Sequence, residues 1–214
     1  MSSLTIATLA LYGAAALAAV VGRFWAIAGY LGAVLVTDGL RWAQVLLLPS
    51  PPGVRAGWWL VAWWGDVGLY TASLLMLPAM AVVVFGYKRQ GALFATGAAW
   101  LLLTTACASG YPNLRGPALL RIYDLVELGA VVTSLGCVVA WWRSGRVLDD
   151  EGRSPAHLAG LALIAGPSAT ITLPWIGGDV LQDWSFIVAA NAVTVGIALV
   201  FLLWGIINRK QLWA

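Results

Sequence analysis

The chain has 214 residues, of which 61% are hydrophobic and 10% charged, with a mean hydropathy of +0.87. Soluble domains carry roughly a quarter charged residues, and no water-soluble core of this length hides so much apolar surface. The composition therefore excludes a soluble globular domain and points to an all-α polytopic membrane protein. A net charge of +3 and a pI near 9.1 do not mark a nucleic-acid binder, because the basic residues are scattered among short loops. There they report membrane orientation.

A helical span needs about 20 apolar residues. The sequence predicts seven, at 4–22, 24–48, 57–86, 91–111, 117–142, 157–181 and 184–207. The breaks fall at Arg23, at the Ser50-Pro51-Pro52-Gly53 run, at Tyr87-Lys88-Arg89 and at Tyr111-Pro112-Asn113. Two more follow, the polar stretch from Arg143 to Ser154 and Gly177-Gly178-Asp179. Proline and glycine clusters of this kind end regular structure. The chain is spent almost entirely on spans, so one transmembrane domain over residues 1–214 is expected. The first segment offers small-residue cleavage sites between Ala15 and Ala19 but carries no basic residue ahead of its apolar run, which a secretory signal normally has. It is expected to remain as a span. Gly13, Ala14, Ala18, Gly22, Gly29 and Gly32 in the first two spans suggest close helix packing.

Alternate loops sort the basic residues. Arg23, Lys88, Arg89, Arg143, Arg146, Arg153, Arg209 and Lys210 fall on one side, and Arg55 and Arg115 on the other. This bias predicts an outer amino end, a cytoplasmic carboxyl end and a multi-pass position in the cell (inner) membrane. Trp58, Trp59, Trp63 and Trp64 at one interface, with Trp141, Trp142, Trp204 and Trp213 at the other, read as aromatic belts or as core packing.

Ionisable residues inside spans are costly in hydrocarbon and mark functional sites first. Asp38 and Arg41 stand past the middle of the second span, Asp66 in the third, and Arg121, Asp124 and Glu127 in the fifth. At 1.5 Å per residue, Asp66 lies roughly 8 Å outward of its span's midpoint, and Asp124 and Glu127 roughly 9 and 4 Å. Three helices thus bring carboxylates to one slab near the outer face. Trp59, Trp63, Asp66 and Tyr70 share a helical stripe, Tyr123 stands one turn before Glu127, and Asp38 and Arg41 are spaced to pair. Asp38, Asp66, Tyr70, Tyr123, Asp124 and Glu127 are the expected ligand or proton-binding residues, with Arg41 and Arg121 as charge partners. Desolvation favours proton uptake by the deepest carboxyls, and an acidic vestibule with aromatic walls suits a cation. Ser168, Thr170 and Thr172 follow a kinking Pro167 in the sixth span, Asn191 lies in the seventh, and Thr104, Thr105 and Ser109 lie in the fourth. The hydroxyls read first as groups that satisfy backbone.

Several chemistries are excluded. Trp64-Gly65-Asp66 and Tyr70-Thr71 look superficially like microbial rhodopsins. The last span, however, offers Asn191-Ala192-Val193-Thr194 and no lysine for covalent retinal. The single histidine, His157, rules out bis-histidine haem within the chain and reads as a solvated helix-start residue. Cys107 and Cys137 lie at opposite ends of successive spans, beyond disulfide reach. A His-Glu-x-x-His metalloprotease motif is absent. No cofactor or metal is expected. The partners expected are the lipid bilayer, a small cation or proton and, in a second reading, other membrane subunits. The pattern suits a small carrier or ion- or proton-conducting protein. The alternatives are an accessory subunit of a larger membrane complex and a seven-helix receptor or sensor, and an enzyme finds least support.

Overall fold

The computed structural model describes residues 3–47, 75–85, 117–143, 154–177 and 184–211. Side chains are described within 3–40, 75–85, 128–143, 154–170 and 186–208. Among the described residues there are six helices and no strand. They are α1 (Ser3–Val21), α2 (Trp25–Leu47), α3 (Leu75–Val84), α4 (Pro117–Arg143), α5 (Pro155–Gly177) and α6 (Trp184–Gln211). Five of the expected spans correspond to α1, α2, α4, α5 and α6 within a few residues, and α3 covers part of the third. The expected fourth span lies outside the described residues. Ser3–Val21 of α1 and Phe186–Asn208 of α6 are long and apolar enough to cross a membrane.

The helices are assembled by stripes repeating at three and four residues, the spacing that keeps one face of a helix against its neighbours. On α1 the buried stripe is Thr5, Thr8, Tyr12, Ala15 and Ala19, and on α6 it is Val188, Val195, Ala198 and Leu202. Ala130, Ser134, Cys137 and Trp141 play that part on α4. Helix α6 lies between α5 and α1, α2 packs on the far side of α1, and α4 packs on α5. Helix α3 closes the group, since Met76 Cε meets Gly29 of α2 and Val84 and Phe85 meet Gly160 of α5.

The small residues of the first two spans divide on inspection. Gly22 and Gly29 sit where a side chain would strike Phe24 and Met76, and Ala15, Ala18 and Ala19 are buried. Gly13 and Gly32 have open space beside them, and Ala14 is exposed. Close packing therefore rests on only part of the expected set.

One end of the bundle is fixed by contacts between helix termini. Helix α1 ends with Phe24 N–H donating to Ala19 O at 2.8 Å and Arg23 N–H to Val20 O at 3.0 Å. This is the paired pattern that satisfies the last carbonyls of a helix. It places Arg23 in the left-handed region at φ 60°, a position more usual for glycine. Glycine is instead needed one residue earlier, because a Cβ at Gly22 would lie 2.5 Å from the Phe24 ring. Phe24 reaches on to Gly205 of α6, which also meets Pro155. Helix α5 starts on a Ser154-Pro155 signal, with Ser154 O accepting from His157 N–H at 3.0 Å. The start of α5, the end of α6 and the α1–α2 turn thus share one level.

Phe85, Trp141 and His157 fill the neighbouring part of that level. Trp141 stacks on His157 with centroids 4.9 Å apart and an interplanar angle of 15°, and Phe85 meets Trp141 edge-on at 5.4 Å. The Ser154 hydroxyl and His157 Nδ1 share a hydrogen bond. His157 does begin a helix, but it is half-buried in an aromatic cluster joining α3, α4 and α5 rather than solvated. Its ring stacks on Trp141 and its Nδ1 is held by the Ser154 hydroxyl at the start of its own helix. Arg23 and Arg143 are exposed at this end, and Arg209 and Lys210 belong to the last turn of α6. We call it the basic end.

Candidate functional site

Polar side chains inside the bundle are distributed unevenly along its axis. Near the basic end the buried residues are Ala15, Ala18 and Ala19 on α1, Ile27, Tyr30 and Leu31 on α2, and Ala198 and Leu202 on α6, apolar or small but for the Tyr30 phenol. In the far half the same stripes turn polar. Thr5, Thr8 and Tyr12 are buried on α1 and Thr37 on α2, with Asp38 half-buried beside it. Asn191 holds the corresponding place on α6, between Val188 and Val195. Measured from the level of Gly22, Phe24 and Gly205, the residues Thr8, Asp38 and Asn191 each lie fourteen residues outward. That is roughly 21 Å along the helix axes. Three helices therefore change character at a common height.

Asp38 is the expected site residue whose side chain is described. It lies within electrostatic range of Tyr12, so the α1–α2 seam brings a phenol and a carboxyl together. Tyr12 was missed in the sequence reading, although Thr5, Thr8 and Tyr12 recur at three and four residues within an otherwise aliphatic segment. Arg41 belongs to α2, and Arg121, Tyr123, Asp124 and Glu127 belong to the unbroken helix α4. Their side chains lie outside the described residues. Asp66 and Tyr70 lie outside them altogether, as do Cys107, Thr104, Thr105 and Ser109.

Most buried hydroxyls are satisfied locally. Thr8 donates to Leu4 O and Thr37 to Ala33 O, each at 2.8 Å, and Ser134 donates to Ala130 O at 2.7 Å. Ser168 donates to Ile164 O at 2.6 Å and Thr170 to Pro167 O at 3.1 Å. This return of a hydroxyl to its own helix lets an apolar environment accept it. Ser168 and Thr170 thus act as the backbone-satisfying groups expected beside Pro167. Asp38 and Asn191 add a carboxyl and an amide to the hydroxyls of the far half. Among the described residues no group of three or more His, Cys, Asp or Glu is arranged to hold a metal ion.

Compared with known protein families, characterised proteins and solved structures, the chain matches none.

Proposed function

We propose that the chain is a small integral membrane carrier, or an ion- or proton-conducting protein, with an acidic site in its outward half. The single observation that carries this reading is the polar cluster of buried Thr8, Tyr12 and Thr37 with half-buried Asp38. It lies far from the basic end and among helices whose outer faces are apolar. Placing an ionisable group there costs several kcal/mol unless it is hydrated or paired, which is why such groups mark ion and proton paths. In this reading Asp38 takes up the cation or proton, Tyr12 lines the seam, and Arg41 sets the field. Asp66, Tyr70, Tyr123, Asp124 and Glu127 complete the outward pocket, and Arg121 is a charge partner nearer the surface. Continuous helix through α4 supports the spacing assumed for its four members.

Membrane crossing is supported by what the bundle exposes. Val193, Ile197, Val200, Trp204 and Ile207 form an exposed stripe on α6, and Val132, Leu135, Val139 and Trp142 form another on α4. A helix apolar on all faces belongs to a membrane span or to the core of a larger assembly, and a contiguous exposed apolar face marks a lipid or partner contact. Trp25 and Trp142 are 66% and 65% exposed at the basic end, and Trp204 stands beside them in level. Three helices thereby offer indoles at one height, as at a lipid headgroup boundary. Trp141, by contrast, is core. With the exposed arginines at the same end, this supports a cytoplasmic basic end and an outer amino end, and seven spans in the inner membrane are part of the same proposal.

Purified chain in liposomes holding an internal pH dye tests the reading. An imposed membrane potential should drive proton or cation flux, and Asp38→Asn should reduce it at least tenfold. Flux unaltered by that substitution counts against an acidic outward site. The same apolar faces of α4 and α6 suit a partner helix as well as lipid, which favours the accessory-subunit reading second. Purification in mild detergent with stoichiometric companions, and no flux alone, identifies that case.

A further inference from the structure

The basic end carries a surface that the acidic seam does not use. The turn joining α1 to α2 presents its side chains alternately. Phe24 turns in toward Gly205 of α6, while Arg23 and Trp25 on either side of it are exposed. At the end of α4, Trp141 turns in to stack on His157, while Trp142 and Arg143 are exposed. Trp204 is exposed on α6, one residue from Gly205 and so at the height of Phe24. Two guanidiniums and three indoles therefore lie at one level, each guanidinium within two residues of an indole.

The fold does not account for these arginines. Neither guanidinium makes a hydrogen bond or an ion pair among the described residues. Arg23 stands at φ 60°, where glycine is favoured, and the turn is closed by main-chain hydrogen bonds from Gly22, Arg23 and Phe24. Nothing in that geometry calls for a cation. The loops that the sequence assigns to this face carry eight basic residues against Asp149, Asp150 and Glu151, so the field across it is positive. Indoles settle where hydrocarbon meets headgroups. A guanidinium held at that depth meets phosphate oxygens, which its planar fork binds in pairs. A zwitterionic headgroup brings its own cation beside the phosphate, whereas a net-anionic one does not.

We propose that the basic end binds net-anionic phospholipid headgroups, with Arg23 and Arg143 on the phosphate oxygens and Trp25, Trp142 and Trp204 fixing the depth. The proposal rests on the membrane-crossing reading and makes it specific: the cytoplasmic leaflet is recognised by its charge as well as by its hydrocarbon. Each basic side chain near an anionic surface changes affinity about fivefold, and salt screens the effect.

The test is thermal unfolding of the purified full chain in dodecyl maltoside, titrated with phosphatidylglycerol or with phosphatidylcholine of the same acyl chains. At about ten times the half-saturating concentration, phosphatidylglycerol should raise the melting temperature by about 4 °C, and phosphatidylcholine by less than about 1 °C. Arg23→Gly and Arg143→Gln should each raise the half-saturating phosphatidylglycerol about fivefold. In lipid-free detergent Arg23→Gly should melt at or above the unsubstituted chain, since glycine takes that backbone conformation without steric cost. Equal shifts for the two lipids, a shift reproduced by inorganic phosphate, or a titration unchanged in either variant overturns the proposal. So does a lower lipid-free melting temperature for Arg23→Gly, which marks the arginine as part of the fold. Alkaline carbonate extraction of membranes separates this failure from that of the membrane reading. A chain retained in the membrane fraction but indifferent to phosphatidylglycerol overturns the lipid site alone, and a chain released from the membrane overturns both.

Discussion

Gly166 shows how much one missing side chain decides. Its hydrogen lets α5 approach α6 until two side-chain oxygens occupy the space a methyl would take. Gly166→Ala must move Thr194, whose own methyl and hydroxyl are held by the helix, so relief through a flexible tip is closed. The substitution should lower stability by about 1–3 kcal/mol, the usual range for overpacking. Chemical or thermal unfolding in detergent measures it, with Gly13→Ala as a neutral comparison because nothing stands beside that position. Equal stability for the two variants would mean that the α5–α6 approach is looser than described. Single residues were also where sequence reading fell short. Tyr12 belongs to a weak three- and four-residue recurrence with Thr5 and Thr8, and its meaning comes from Asp38 on the next helix. The place of His157 at a helix start predicts a solvated ring, but Trp141 and Phe85, distant in sequence, set its surroundings.

Helices are the level at which the sequence was most legible. Hydrophobic runs closed by glycine, proline and basic residues give α1, α2, α4, α5 and α6 within a few residues, because the cost of exposing backbone polar groups forces long apolar runs to be helical. Which face of each helix turns inward was less legible, since an all-apolar helix has almost no amphipathic contrast to read. Helix α6 is the extreme case: Val195, Ala198 and Leu202 are buried while Ile197, Val200 and Leu203 are exposed, and composition does not separate the two sets. That equivalence has a consequence. If the outer face of α6 meets lipid, Val200→Lys should cost about 3 kcal/mol of insertion free energy. The fraction resisting alkaline carbonate extraction should fall, while Val200→Leu leaves it unchanged. A lysine tolerated at position 200 without loss from the membrane fraction would indicate a watery or protein-covered face.

For the whole molecule, the asymmetry between the two halves governs everything proposed. The basic end is sealed by Phe24, Phe85, Trp141 and His157 and by helix termini packed on glycine. The far half carries Thr8, Asp38 and Asn191 at matched heights, with the Tyr12 phenol about 6 Å nearer the middle. Orientation is an expectation from loop charges alone, which need no tertiary information. The site could be read only in part, since Asp38 announces itself as a charge in an apolar run, whereas Asn191 and Tyr12 are neutral. Substituted-cysteine labelling examines the asymmetry itself, in a chain with Cys107 and Cys137 replaced by alanine. A membrane-impermeant maleimide added outside intact cells should modify cysteines at positions 8, 38 and 191 and leave those at 15, 31 and 198 unreacted. Labelling of the second set, or of neither set from the outside, would contradict a hydrated chamber open to the exterior.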